Sequence, residues 1–435
     1  MTPQSHFMVI AELADGHEPG LRLLLNAMNK KPSLPGLADP GNPILPFGRF
    51  ERLHFARLVL LDDALQADLQ AYGLPRPKLP TCLAFMGDCD GPGHTQLAEL
   101  AEHAGDGLRR IFAHCQGFSA GTDLLAWMLA HERPLAARYV NWVGRSVLQI
   151  RQEQALQQLL ATHAPRINIT SGTEAVRIWQ ALSDFVQLEV TGGRLTLTPP
   201  EPTPAGWQWR QCLHLLGVPL LGLLLLPFLL VLSPFIVYQL RRLEEADPEI
   251  CPRPDPEALQ TLQELEDFDV SNQYTALGPV KPGLFRRWLV SLLLVAIDYA
   301  CRHVFTRGHL ARVQTIHFAR WAFLDDKTRV VFTSNYDGSH QSYMDDFINK
   351  VAWGLNLVFS NGVGWPRTRW LIFGGARHEQ PFKYYQRRHQ IPTQVWYKAY
   401  PGLTLADLQR NQRIREGLER SRMNEAQALA WLALL

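Results

Sequence analysis

Two stretches far apart in the chain are spelled almost alike, and this constrains the fold more than any other feature. Residues 53–63 read LHFARLVLLDD and residues 316–326 read IHFARWAFLDD, with His-Phe-Ala-Arg and the closing Leu-Asp-Asp identical. Each is mostly apolar and ends on paired aspartates, the profile of a buried strand running into a turn. A second strand follows in both places, TCLAFMGDCDG at 81–91 and RVVFTSNYDGS at 329–339, and both reach an Asp-Gly pair. A helical stretch, a glycine turn, a further apolar strand (137–147 and 393–403) and a polar helix (148–163 and 403–422) then succeed one another in the same order. Ordered similarity over that many elements marks an internal duplication.

The order strand, strand, helix, strand, helix suits a ferredoxin-like unit, with WLIF at 370–373 completing the set in the second copy. Such a sheet has one face covered by helices and one open, so two copies can close their open faces as an α+β barrel around a cavity. The expected fold class is therefore α+β, two ferredoxin-like repeats in a barrel, with a hydrophobic insertion between them. The boundaries that follow are an irregular N-terminal wrap at 1–50, a first repeat at 51–164, an insertion at 165–290, a second repeat at 291–422 and a tail at 423–435. The tail is a short Ala/Leu-rich helix suited to docking on a neighbour, so a homo-oligomer stays open.

Residues 212–240 carry no Asp, Glu, Lys or Arg, and exceed the ~20 residues that cross a bilayer core. Trp207, Trp209 and Arg210 precede the segment, and Tyr238, Arg241 and Arg242 close it, which is the chemistry of an interfacial anchor. Pro219, Pro227 and Pro234 favour a bend, hence a spanning or re-entrant helix. A shorter run at 288–300, behind Arg286 and Arg287, suits a helix lying flat in the interface. Because the repeats bury their open faces only by meeting, both belong on one side of the membrane, with the barrel on the cytoplasmic side. Membrane lipid is the first expected partner.

Composition narrows the rest. Charged residues are 19% and hydrophobic residues 46%, which excludes a disordered chain. A net charge of +2 gives no basic footprint for nucleic acid. The six cysteines form no CxxC pair and read as ordinary core residues of a reducing compartment. There is no nucleophile elbow, phosphate loop or HExxH.

The IHFARW and SNYDGS signatures resemble those of a widespread, poorly characterised bacterial family. That family is similar to the dimeric α+β barrel superfamily, which includes dye-decolorising peroxidases and chlorite-dismutase-like haem proteins. The resemblance covers both repeats and not the 165–290 insertion. It implies a haem cofactor and peroxidase-type oxidoreductase activity. Dye-decolorising peroxidases carry a Gly-x-x-Asp-Gly motif whose Asp lies distal to the haem, and Gly87-Asp88-Cys89-Asp90-Gly91 matches it. Asp90 would then move a proton as the peroxide O–O bond breaks. Asp337 is its repeat equivalent, although Ser334 stands where the first glycine would be. An axial ligand would be His378 or His389, within a stretch rich in Arg and Lys where Arg388 could hold an anion. Asp-Gly is also an ordinary strand-ending turn, and that stretch also reads as a solvated basic loop.

From the residues alone, His54 and His317 are the most interesting pair, because the repeat places them equivalently, each three positions before an arginine, Arg57 and Arg320. A His face turned inward would line the inter-repeat cavity; ion pairs to Asp62 or Asp325 would make the arginines structural. The metal question reduces to haem or nothing. The functional expectation is a membrane-attached enzyme acting on a lipidic or hydrophobic small molecule. The alternative is a non-enzymatic membrane-surface protein that binds a lipid or a partner.

Overall fold

A computed structural model describes the chain except for residues 32–33, 63–65, 165–173, 307–309 and 311. Asp63 of the first aspartate pair and the expected start of the insertion lie outside the described residues. The protein is mixed α/β, with fifteen α-helices among the described residues. The first half supplies strands β1 (Gln4–Glu12), β2 (Asn29–Lys31), β3 (Leu34–Ala38), β4 (Leu53–Leu61), β5 (Cys82–Asp90) and β6 (Leu135–Val140). The second supplies β7 (Ser271–Pro279), β8 (Ile316–Leu324), β9 (Arg329–Asp337), β10 (Thr368–Arg369), β11 (Phe373–Gly374) and β12 (Thr393–Lys398).

The large sheet runs β1-β5-β4-β12-β3-β2 and the smaller one β6-β8-β9-β7. Each half therefore gives its last long strand away: β6 pairs with β8, and β12 pairs with β4. Counting only the nine-residue strands, in both sheets the first of the half (β1 or β7) is joined antiparallel to the third (β5 or β9), which is joined antiparallel to the second (β4 or β8). A ferredoxin-like unit keeps its own fourth strand beside its first; here a strand from the other half lies beside the second.

The sheets stack face to face and close no barrel among the described residues. Strand alternation sorts the side chains into layers. Phe7, Val9, Leu58, Leu60, Leu83 and Phe85 pack under the helices of the large sheet. Ala319, Trp321, Phe332 and Tyr336 do so in the smaller one. Met8, Ile10, Val59, Ala84, Met86, Leu277, Ala322 and Val331 fill the space between the sheets. Residues buried on both faces explain why β4 and β5 read as largely apolar runs, interrupted by His54, Arg57, Asp88 and Asp90. The same filling replaces the expected inter-repeat cavity with solid core.

Three boundaries change. The first fifty residues are not an irregular wrap, because β1 pairs with β5 along its whole length. The insertion ends before Ser271, since β7 is the strand of the second half that corresponds to β1. The tail docks within its own chain: Trp431 donates its indole N–H to Ile414 O at 2.9 Å, and Trp179, from the former insertion, donates to Gly417 O at 3.2 Å.

The apolar segment is one helix, Ala205–Ala246, 42 residues long with all three prolines inside it. Its most apolar window has a mean hydropathy of 2.7 and is 0% buried. A re-entrant hairpin would need a break, and the helix has none. Both ends nevertheless meet the same body. Near the start, His214 Nδ1 lies 2.9 Å from His303 Nε2, and Tyr299 donates to Leu215 O at 3.2 Å. Past its end, Asp247 accepts from Lys281 at 2.6 Å and Arg286 at 2.7 Å. From Leu215 to Asp247 a straight helix rises ~48 Å, whereas Arg286 and Tyr299 are only ~20 Å apart along theirs. The Leu284–His303 helix shows Leu284, Trp288, Leu292 and Val295 on its exposed side and buries Leu289, Val290 and Leu294.

WLIF is not a strand. Trp370 and Leu371 have φ of 58° and 61° and form the turn of the small β10–β11 hairpin. Non-glycine residues rarely adopt that conformation. Buried Glu244, from the end of the apolar helix, holds it: the carboxylate accepts from Trp370 N at 2.9 Å, Leu371 N at 2.8 Å and Thr368 Oγ1 at 3.1 Å. Glu244→Ala is expected to cost about 2 kcal/mol. It should also speed amide exchange at Trp370 and Leu371 well above that elsewhere; unchanged exchange there would refute the role.

Candidate functional site

The repeat motifs build one structural frame twice. His54 Nε2 lies 3.0 Å from Asp90 Oδ1, and His317 Nε2 lies 2.7 Å from Asp337 Oδ1. The second carboxylate oxygen of each accepts from the first residue of a helix, Val147 N at 2.9 Å for Asp90 and Leu405 N at 2.7 Å for Asp337. The two aspartates thus bind helix N-termini, where a negative charge is favourable. Gly91 and Gly338 follow at φ of 80° and 86°, which explains the repeated Asp-Gly. A Cβ on Gly87 would stand 2.3 Å from the Phe7 ring, so close packing accounts for the other glycine of the motif. Both histidines gather around buried Tyr400, whose hydroxyl lies 3.1 Å from His54 Nδ1. All four expected residues come together, but in solid core rather than at a cavity wall.

It is the arginine side of the motif that faces the opposite sheet. Arg57 donates to Tyr274 O at 2.9 Å, Thr275 Oγ1 at 3.0 Å, Ser334 O at 3.1 Å and Asn335 Oδ1. Arg320 answers with Phe7 O at 3.1 Å, Gly87 O at 2.9 Å and Asp88 Oδ1 at 2.5 Å. Three of these acceptors sit at corresponding positions of corresponding strands, whereas Thr275 Oγ1 has no counterpart because Met8 stands in its place. Neither arginine uses the aspartate suggested by sequence, and Asp325 pairs with Arg329 instead.

The side chains beside the two arginines also differ. Where the second half has Gln273 and Asn335, the first has His6 and Asp88. Asp88 accepts from Arg320, from Asn335 Nδ2 at 2.9 Å and from His6 Nδ1 at 2.6 Å. Burial raises the Asp88 carboxyl, but Arg320, His6 and Arg57 outweigh it and hold it at about 2. Burial lowers His6 to about 4 against the pull of Asp88, so its imidazole is neutral at pH 7 with Nδ1 protonated toward the carboxylate. Its Nε2 is buried without a partner among the described residues. Sequence reasoning passed over His6, and the available signal was a histidine inside the apolar run HFMVIA.

The expected haem-binding residues are separate from this frame. His389 is buried, its Nδ1 is 2.9 Å from Tyr385 O, and the cavity beside it holds about 40 Å³. That is room for about one water. Arg388 is taken up by Asp68 at 2.7 and 3.0 Å and by Pro252 O at 2.6 Å. His378 is exposed, on an open groove of about 780 Å³ shared with Arg367, Arg369 and Cys251. Haem chemistry depends on a pocket that controls polarity and access around the axial ligand. Neither histidine has one, so these residues do not fit the group. Among the described residues no cluster of three or more His, Cys, Asp or Glu is placed to hold a metal ion. Of the cysteines, Cys82, Cys89, Cys115 and Cys301 are buried, whereas Cys212 and Cys251 are exposed.

Two cavities flank the last turns of the Leu284–His303 helix. One, of about 240 Å³, lies between that helix and Ala352–Phe359, with Ile316, Ala319, Trp321 and Phe332 of the smaller sheet as its floor. Among the described residues no charged side chain lines it, and the Trp321 indole N–H, buried there, has no acceptor. Its rim includes Ala296 and Trp353, both exposed, on the side of the helix that carries Leu292 and Val295. The other cavity, of about 410 Å³, opens between the edges of the two sheets and is polar. His6, Arg133, Arg138, Asp298 and Arg302 are among its lining.

Comparison with known proteins finds no family model, no curated protein and no solved structure that matches the chain.

Proposed function

We propose that this chain is a membrane-surface protein that takes the apolar part of a lipid into the cleft between its Leu284–His303 and Ala352–Phe359 helices. The observation that carries the reading is the position of that apolar cleft. It opens on the side of the protein that also presents an unburied apolar helix and the stripe Leu284, Trp288, Leu292 and Val295. An exposed apolar surface of that extent marks a membrane or partner contact. Since both ends of the unbroken helix contact one body, it lies along a single leaflet and leaves both halves on one side. Arg210 at its start, with Arg241, Arg242, Arg286 and Arg287 near its end, favours the cytoplasmic side. The corresponding hydrogen bonds of Arg57 and Arg320 support descent from one duplicated unit related to the α+β barrel proteins, with the last strands exchanged.

Protein extracted in mild detergent should carry bound lipid detectable by native mass spectrometry. Ala300→Trp, which fills the cleft, should remove that lipid without lowering the melting temperature. Retention of lipid by the filled variant would overturn the reading. The peroxidase-type oxidation implied by the family resemblance is decided on the same preparation. A Soret band after haem supplementation would favour that enzyme over simple lipid binding.

A further inference from the structure

The polar cavity lies on the other side of the same helix end. Asp298 and Arg302 line it, while Ile297, Ala300 and Cys301 line the apolar cleft. Its charges do not balance locally. Arg302 is paired with Asp298 at 2.7 Å. Arg138, on β6, has neither a side-chain hydrogen bond nor an ion pair among the described residues, and is only partly exposed. Exposed Arg133 stands beside it in the lining, with Glu132 the one carboxylate left to answer both. At the inner end is His6, with its side chain wholly buried, its Nδ1 committed to Asp88 and its Nε2 unpartnered. The entrance is near the start of the apolar helix, where His214 meets Asp298 at 3.6 Å and His303 at 2.9 Å.

We infer that this cavity binds a phosphate group, with Arg138 and Arg133 as its principal donors and Arg302 as a third. A planar guanidinium presents paired donors that match phosphate oxygens, and an unpaired one in a recess gains most from an anion. Burial and the neighbouring Arg302 lower Arg138 to about 10 although Asp298 pulls the other way, the direction expected of a cation that must share its nearest carboxylate with Arg302. The phosphate of a lipid headgroup and free phosphate present the same oxygens. The location at the membrane end of the protein favours the headgroup, and that choice of source rests on the membrane attachment proposed above.

The test uses the full chain in detergent, with melting temperature as readout. It is titrated with short-chain phosphatidic acid, with the matching diacylglycerol and with inorganic phosphate. Ligands that bind only the folded state raise the melting temperature. Phosphatidic acid should raise it by several degrees while diacylglycerol does not, and Arg138→Gln should weaken the response at least tenfold. Arg138→Lys should retain part of it. Arg133→Gln, at an exposed position with little bearing on folding, should weaken it severalfold if Arg138→Gln does not fold. Arg369→Gln, in the remote groove, should leave it intact. A response to inorganic phosphate alone would keep the phosphate site and remove the lipid as its source. No response to either, or an unchanged response in both Arg138→Gln and Arg133→Gln, would overturn the site. Lipid still held in the apolar cleft would then leave the proposed function standing without it.

Discussion

Asp88→Asn is expected to be the most damaging single substitution in the space between the sheets. Arg57 and Arg320 are each 1% exposed, and their guanidinium groups share a network with one carboxylate, reached directly by Arg320 and through the Asn335 amide by Arg57. Asparagine fills the same volume but leaves two buried cations without an anion. Breaking a buried ion pair from one side costs about 3–5 kcal/mol, a large part of the ~5–15 kcal/mol that holds a typical protein folded. The melting temperature should fall by roughly 3–5 °C. Asp337→Asn is the control, since it removes a comparably buried carboxylate whose work is to hold a helix N-terminus. Loss of such a cap costs about 1 kcal/mol. Equal losses in the two variants, or a loss below about 1 kcal/mol for Asp88→Asn, would show that the charge network is not what ties the sheets.

The contrast between these aspartates shows what was legible in the sequence. Duplicated letters located β4, β5, β8 and β9, because a repeat needs no periodicity to be recognised. They also located Asp90 and Asp337, which do correspond, yet spelling alone could not separate a helix cap from a proton donor. β7 escaped because SNQYTALGP is half polar. Its Tyr274 carbonyl and Thr275 hydroxyl receive Arg57, so it looks like loop when read without its partner. The strand exchange was equally hidden: β6 and β12 have the right pattern for a sheet, and nothing in a pattern says which sheet. The apolar helix was plain from composition, whereas the return of both its ends to one body rests on His214, Tyr299 and Asp247, polar residues outside or at the edge of the apolar run. His6 mattered through an asymmetry between the halves that appears only once β1 and β7 are known to correspond.

Acid should unfold this protein well before its carboxylates are titrated, and buried histidines set the range. Burial lowers His6 and His389 to about 4 and His340 to about 3. Asp88 opposes the shift at His6 and Asp68 at His389, while Arg387 and Lys383 reinforce it at His340. In the unfolded chain each imidazole returns to about 6.5. Above that value all three are neutral in both states, and they make stability independent of pH. Between about 6.5 and 4 the unfolded chain binds protons that the folded protein refuses, so stability falls as pH falls. Each histidine contributes on the order of 1.4 kcal/mol per pH unit in the steep part, and three together remove about 4 kcal/mol per unit. One to two units consume most of a typical folding free energy, which places unfolding near pH 5. Asp88 enters only lower, because a carboxyl held at about 2 loses its advantage below the unfolded value of about 4. Melting temperatures across pH 8 to 4.5 should show a plateau above 7 and a steep fall beneath 6.5. Among the described residues the His340 Nε2 has no hydrogen-bond partner to lose, so His340→Gln should cost little on the plateau and reduce the acid slope by about a third. A melting temperature that is the same at pH 5 and pH 7.5 would mean these imidazoles reach water in the folded protein, contrary to the packing of the two sheets described above.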